Sequence, residues 1–232
     1  MGFEFEEIIR YSQTDASLTL TLPALLDLFQ DAPTLQAERL GVGINRLAEE
    51  HLAWYLLSWN IEILRMPKHG ERVVVGTAPY YFRGALGKRN CYLRSESGEE
   101  LARADSLWVM MDTEQQKMVN APEWITSAYA LSEPLPVKAF PRKILIPDGM
   151  VPCEPVPVRA EHIDFHRHVN NGQYIHMIQH LLPDRIGRLC VEYRRQTALG
   201  EVLVPYVLRD EHGVTISLQN GEPNVNIRVD TE

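Results

Sequence analysis

Between His162 and Leu182 the chain reads HIDFHRHVNNGQYIHMIQHLL. One acid, Asp164, and two imidazoles, His166 and His168, stand at alternate positions, and Asn170 and Asn171 follow at once. A carboxylate and imidazoles this close together can take up and return protons near neutral pH. From Tyr174 onward apolar residues recur about once per turn, at Ile178 and Leu181, so the spacing predicts a helix. An asparagine at its start caps it, because the side-chain oxygen accepts an unpaired amide hydrogen of the first turn. Those amides and the positive end of the helix dipole are expected to receive an oxyanion or a polarised carbonyl. An acid, imidazoles and a helix N-terminus in one stretch point to hydrolytic chemistry.

Bulk properties narrow the setting. The chain has 232 residues, enough for one large domain or two smaller ones, and is 45% hydrophobic and 23% charged, as a soluble globule is. A net charge of −8 argues against a nucleic-acid binder that works by neutralising phosphates. Cys91, Cys153 and Cys190 are far apart and odd in number, which fits reduced thiols in a cytoplasm and gives no metal-ligand spacing. No cofactor is implied. The opening MGFEFEEIIR has no basic flank and no long apolar run, so no secretory signal is expected. No apolar run approaches the ~20 residues of a membrane span.

The elements that must position the site come in a recognisable order. Residues 3–11 alternate like a strand. LTLTLPALLDLFQDAPTLQAERLG then reads as a helix, with Thr21 as N-cap, Pro23 in the first turn and a stripe of Leu22, Leu25, Leu26 and Phe29. Pro33 should kink or interrupt it, having no amide hydrogen to give. Ala53 to Leu64 reads as a strand with Tyr55, Leu57, Trp59, Ile61 and Ile63 on one face and Ser58, Asn60 and Glu62 on the other. Strands follow near 71–82, 87–96 and 100–112. Pro122, Pro134, Pro136, Pro141 and Pro147 then mark an extended linker. After the short helix, strands are expected near 189–195, 201–209, 213–219 and 224–230.

The second half repeats the order of the first. At an offset of 149 residues Asp15 falls on Asp164, Leu25 on Tyr174 and Gln30 on Gln179. At an offset of 130, Ile61-Glu62 falls on Val191-Glu192 and Gly70-Glu71 on Gly200-Glu201. We therefore expect an α+β duplication with each half a helix wrapped by an antiparallel sheet: an N-terminal domain at 1–120, a linker at 121–150 and a C-terminal domain at 151–232. Where the second half has Asp164, His166 and His168, the first has Asp15, Ser17 and Thr19. The acid persists and both imidazoles are gone, so a single active site belongs to the second half.

HVNNGQY at 168–174 and EYRRQ at 192–196, together with LTLPALLDLFQDA at 20–32, resemble the signature segments of the acyl-[acyl-carrier-protein] thioesterases of plants and bacteria. The resemblance covers nearly the whole chain. It implies a tandem hotdog fold, a cytosolic or plastid location, here expected to be the cytoplasm, and hydrolysis of acyl thioesters on acyl carrier protein. It also implies that the second half is catalytic and the first shapes an acyl pocket, for which Leu25, Phe29, Tyr55, Leu57 and Trp59 are candidates. The family motif runs Asp-x-Asn-x-His-Val-Asn-Asn, with a Glu after the Tyr-Arg-Arg segment. Asp164 and His168 match it, His166 stands in place of the Asn, and Gln196 in place of the Glu. Thr197 occupies a neighbouring place that is Cys in many plant members.

These residues carry roles in the reaction that the resemblance implies. His168 or Asp164 activates water, Asp164 also orients an imidazole, and the amides of Val169, Asn170 and Asn171 polarise the carbonyl. Gln196 orients water without titrating, and His166 takes over part of the proton transfer lost with the Glu. Direct attack by Asp164 to form an anhydride is the alternative. Acyl carrier protein is acidic, so its docking surface should be basic: Arg185 and Arg188, Arg194 and Arg195, Arg142 and Lys143, or Arg83, Lys88 and Arg89. The competing functions are a thioesterase for coenzyme A esters and a non-catalytic acyl-binding module. Both a monomer and a homodimer fit the duplicated plan.

Overall fold

The computed structural model describes residues 2–141 and 143–231. The chain forms two compact units: one runs to Leu57 and from Ile63 to Lys138, the other takes Ser58–Glu62 and the chain from Ala139 on.

In the first unit β1 (Phe3–Ile8), β2 (Leu52–Ile63), β3 (Arg72–Arg83), β4 (Leu86–Ser95) and β5 (Glu100–Asp112) lie in the order β1-β3-β4-β5-β2, and β6 (Lys117–Met118) pairs with β5. Helix α1 (Leu22–Arg39) packs against β1, β3 and β4. Thr21 caps it by accepting the Ala24 amide at 3.3 Å. Its buried face is the expected stripe, extended by Leu28, Ala32, Pro33 and Gln36. Of the two expected effects of Pro33, the interruption does not occur, and α1 runs on to Arg39. The carbonyl four residues back, Phe29, accepts the Cys91 thiol at 3.5 Å instead. Helix α2 (Ile44–Glu49) and the single turn α3 (Glu123–Thr126) enclose a smaller cluster of Val42, Leu47, Met110, Ile125 and Tyr129.

In the second unit β7 (Val151–Pro152), β8 (Val156–Pro157), β9 (Arg188–Tyr193), β10 (Val202–Asp210), β11 (Gly213–Asn220) and β12 (Glu222–Asp230) run β9-β12-β11-β10-β7, with β8 also on β10. The segment Ser58–Glu62 of β2 pairs antiparallel with β9. Cross-strand register puts Val191, Ile227, Ile216 and Val207 on one face. The other face carries Ser58, Glu192, Asn226, Ser217 and Tyr206.

That polar face is not left to water. Glu192, Asn226 and Ser217 are buried, as is Ile144 from the proline-rich stretch. The Ile144 amide donates to the Glu192 carboxylate at 3.1 Å, and Asn226 Nδ2 donates to the same oxygen at 3.2 Å. The proline-rich stretch is thus divided: residues up to Lys138 go with the first unit, where the Leu135 amide donates to Asn90 Oδ1 at 2.8 Å. From Ala139 on it straps the second.

The expected second-half helix is short. Helix α4 covers only Gln173–Met177, and a 3-10 turn at Gln179–Leu181 follows. Asn170 does not cap it; Gly172 is the N-cap, and Asn170 Oδ1 instead accepts the Gly172 amide at 2.9 Å. A five-residue helix builds little dipole, so the helix-terminus site expected from the sequence is not formed.

Candidate active site

The site loop is one of a matched pair. In the first unit the Asp15 amide donates to Thr19 O at 2.9 Å, Leu18 donates to Asp15 O at 3.0 Å, and Asp15 Oδ1 accepts the Ser17 amide at 2.8 Å. In the second, the Asp164 amide donates to His168 O at 2.9 Å, Arg167 donates to Asp164 O at 3.0 Å, and Asp164 Oδ1 accepts the His166 amide at 2.9 Å. Leu18 and Arg167 both take the left-handed conformation, φ 58° and 63°. Both offsets read from the sequence reappear in the hydrogen bonds: Leu20 N–H to Pro67 O matches Val169 N–H to Thr197 O, each at 2.9 Å.

The two loops differ in what their side chains do. Oδ1 of Asp15 accepts the Thr19 amide, the Ser17 hydroxyl and the Ser17 amide, and these bonds hold the carboxyl below the usual carboxylate range. Around Asp164 the hydroxyls are replaced by imidazoles. Asp164, His166 and His168 are all half-buried. His166 meets Phe165 edge-on at 5.5 Å. The Nδ1 of His168 is buried and has no hydrogen-bond partner among the described residues. A buried ring nitrogen without a protein partner is open to a water or a substrate atom.

The carbonyl-polarising amides need correction. Val169 donates to Thr197 O and Asn170 to His162 O, both at 2.9 Å, so neither is free to meet a substrate. Among the described residues the Asn171 amide alone of the three has no partner.

Strand β9 ends at Tyr193, and Arg194, Arg195 and Gln196 are exposed. The Gln196 side chain therefore meets solvent. Its neighbour Thr197 turns inward and is wholly buried. Thr197 Oγ1 accepts the Tyr174 hydroxyl at 2.9 Å and Asn224 Nδ2 at 3.0 Å. Tyr174 also lies against Tyr193, centroids 6.0 Å apart, and Tyr193 OH donates to Asn171 O at 3.0 Å. Asn224, Glu192 and Asn226 were not legible as support residues, because nothing in a strand's alternation says that its polar side will be covered, and Tyr174 reads only as part of an apolar helix stripe.

Of the acyl-pocket candidates, Leu25, Phe29 and Trp59 are fully buried, and Tyr55 and Leu57 half-buried. Leu25, Phe29, Tyr55 and Leu57 belong to the first unit and Trp59 to the second. Among the docking candidates Arg142 lies outside the described residues. Two others are withdrawn from solvent. Arg89 is buried, bonded to Gln36 and Thr77 and stacked on Tyr129, and Arg188 is paired with Glu62 at 3.3 Å. Burial also pushes the Arg89 guanidinium below its usual range. Arg83, Lys88, Lys143, Arg185, Arg194 and Arg195 are exposed.

Residues 3–129 match the acyl-ACP thioesterase N-terminal domain, and residues 151–229 match the acyl-ACP thioesterase C-terminal domain. The chain belongs to the acyl-ACP thioesterase family. It is 26% identical to a palmitoyl-acyl carrier protein thioesterase of Gossypium hirsutum over 94% of its own length. It is 24% identical to an oleoyl-acyl carrier protein thioesterase of Arabidopsis thaliana over 87%. The chain spans 56% and 62% of those two relatives. Among solved structures it is similar to an acyl-ACP thioesterase from Bacteroides thetaiotaomicron, with a TM-score of 0.88 at 24% identity over 99% of this chain and 97% of that one. The 12:0-ACP thioesterase of Umbellularia californica gives 0.87 at 20% identity, over 99% of this chain. The fold is thus the double hotdog expected of an acyl-ACP thioesterase. No helix among the described residues is long and apolar enough to cross a membrane, and no group of three or more His, Cys, Asp and Glu among them could hold a metal.

Proposed function

We propose that this chain hydrolyses the thioester of an acyl-acyl carrier protein, releasing a free fatty acid and the carrier thiol. The observation that carries the reading is the buried, unpartnered Nδ1 of His168 on the Asp164 loop. His168 takes a proton from water as the water oxygen attacks the thioester carbonyl carbon. The C–S bond then breaks, and the imidazolium returns the proton to the leaving thiolate. Asp164 holds the loop and the ring orientation and stabilises the imidazolium. Developing charge on the carbonyl oxygen is met by the Asn171 amide. His166, half-buried on the same loop, shares the proton transfer, and Gln196 orients water from the exposed side. The acyl chain is assigned to the apolar interior of the first unit, where Leu25 and Phe29 of α1 lie, with Tyr55 and Leu57 along β2. The remaining exposed cations, Arg83, Lys88, Lys143, Arg185, Arg194 and Arg195, are the docking candidates for an acidic carrier. Three free cysteines fit a cytoplasmic enzyme.

The test is thiol release from one acyl chain offered on carrier protein and on coenzyme A, repeated over several chain lengths. The expected result is turnover with kcat/KM higher on the carrier. Equal or higher efficiency on coenzyme A would move the assignment to that handle, and binding without thiol release would make the chain an acyl-binding module.

A further inference from the structure

The duplication offers an internal control for what the imidazole loop needs. In both halves the residue after the loop's last position donates its amide to a carbonyl on the facing segment, Pro67 in the first and Thr197 in the second. In the first half two of the matching positions are apolar, Pro67 itself and Leu25, both buried. Their counterparts at offsets of 130 and 149 are Thr197 and Tyr174, joined by a hydrogen bond of 2.9 Å. The copy that carries the imidazoles is also the copy in which a directional polar pair stands where the other has apolar residues.

We infer that Thr197, held by Tyr174 and Asn224, is a positioning residue that fixes His168 in its reacting orientation. Thr197 joins three segments at one buried point. Its carbonyl takes the Val169 amide, one residue beyond His168, and its hydroxyl oxygen takes Tyr174 of α4 and Asn224 of β12. Asn224 is fixed in turn, with Oδ1 accepting the Asn220 amide at 3.1 Å and its carbonyl accepting the amides of Arg194 and Arg195. His168 bridges Ala198, the next residue along. Apolar packing lets a loop slide by fractions of an ångström, whereas two hydrogen bonds onto one oxygen do not. The Tyr174 hydroxyl keeps its proton for this bond throughout the working range, because burial pushes it up to about 12. Thr197 does not touch the reacting atoms in this account; it acts through His168.

The inference rests on the thioesterase reading, and the experiment separates the two. Thr197→Val and Tyr174→Phe each remove the bond with little change of shape, and Thr197→Ser keeps it. Three things are measured: kcat and KM on acyl-carrier substrate, melting temperature, and the ¹⁵N shifts of the His168 ring without substrate. Thr197→Val and Tyr174→Phe should lower kcat by about ten- to a hundredfold at unchanged KM, the scale of a slightly misplaced catalytic group. They should also move the His168 ring shifts, and Thr197→Ser should restore both. The double variant should be no worse than the poorer single one. Should Thr197→Val fail to fold, Tyr174→Phe against Thr197→Ser decides alone. Unchanged kcat and ring shifts in Tyr174→Phe, or equal losses in Thr197→Ser, would overturn the positioning role. A wild type that releases no thiol while its ring shifts respond as stated would overturn the thioesterase reading and leave the positioning role standing.

Discussion

Burial decides which side chains of this protein can react. It pushes the Cys91 thiol up to about 11 and the Cys190 thiol up to about 12, so neither is a nucleophile near neutral pH. Cys153 is half-buried. Iodoacetamide at about pH 8 should therefore label Cys153 in the native protein, and Cys91 and Cys190 only after unfolding. Peptide mapping by mass spectrometry reads this directly, and native labelling of Cys190 would contradict it. At this scale the sequence was legible where chemistry is carried by residue type. Asp164 and His168 stand out by identity and spacing. Thr197 does not, because a buried threonine is made important by Tyr174 and Asn224, which are 23 and 27 residues away in sequence. Gln196 shows the reverse: similarity drew attention to it, and the end of β9 at Tyr193 left it exposed.

Among the elements, the strap over the second sheet is tied to the Glu192 carboxylate. Replacing Glu192 by Ala leaves the Ile144 amide and Asn226 Nδ2 without their acceptor. Each buried donor left unpaired costs about 1–3 kcal/mol, so the variant should lose several degrees of melting temperature. Limited proteolysis should cut earlier between Ala139 and Gly149, since the strap has lost its anchor, and an unaltered cleavage pattern would contradict that role. Glu192→Gln keeps one acceptor oxygen and should fall between. Strand positions in both halves were legible because alternation of apolar residues is a local property. Local spacing could not foresee that Ile144 would cover the polar side of β9, β12 and β11. It also overestimated α4, since Ile178 and Leu181 keep helical spacing while the backbone leaves the α-helix after Met177. Continuity of α1 through Pro33 was not legible for a related reason: the Cys91 thiol that takes up the Phe29 carbonyl comes from a distant strand.

For the whole molecule, duplication is the organising fact, and it was readable from two offsets because a repeated backbone keeps its loop acid and its Gly70 and Gly200, both at positive φ. Folding stability should depend on acid in a defined way. The Arg228 guanidinium grips Asp210 at 2.6 and 3.0 Å and holds its carboxyl well below the usual range, though Asp210 is 42% exposed and water weakens the gain. A lowered carboxyl pKa contributes stability that is complete above the unfolded value of about 3.9 and is lost as pH falls through the folded value. The melting temperatures of wild type and Arg228→Met should therefore differ at pH 7, with a gap that starts to narrow below about pH 3.9 and keeps narrowing as pH falls through the lowered folded value. A gap independent of pH would contradict this. Hydrolysis of acyl thioesters by the second-half loop is decided by single-turnover thiol release from acyl-carrier substrate with wild type, Asp164→Asn and His168→Ala, each shown to be folded. Losses of about a hundredfold or more are expected in both variants. Near-native turnover in both would contradict it.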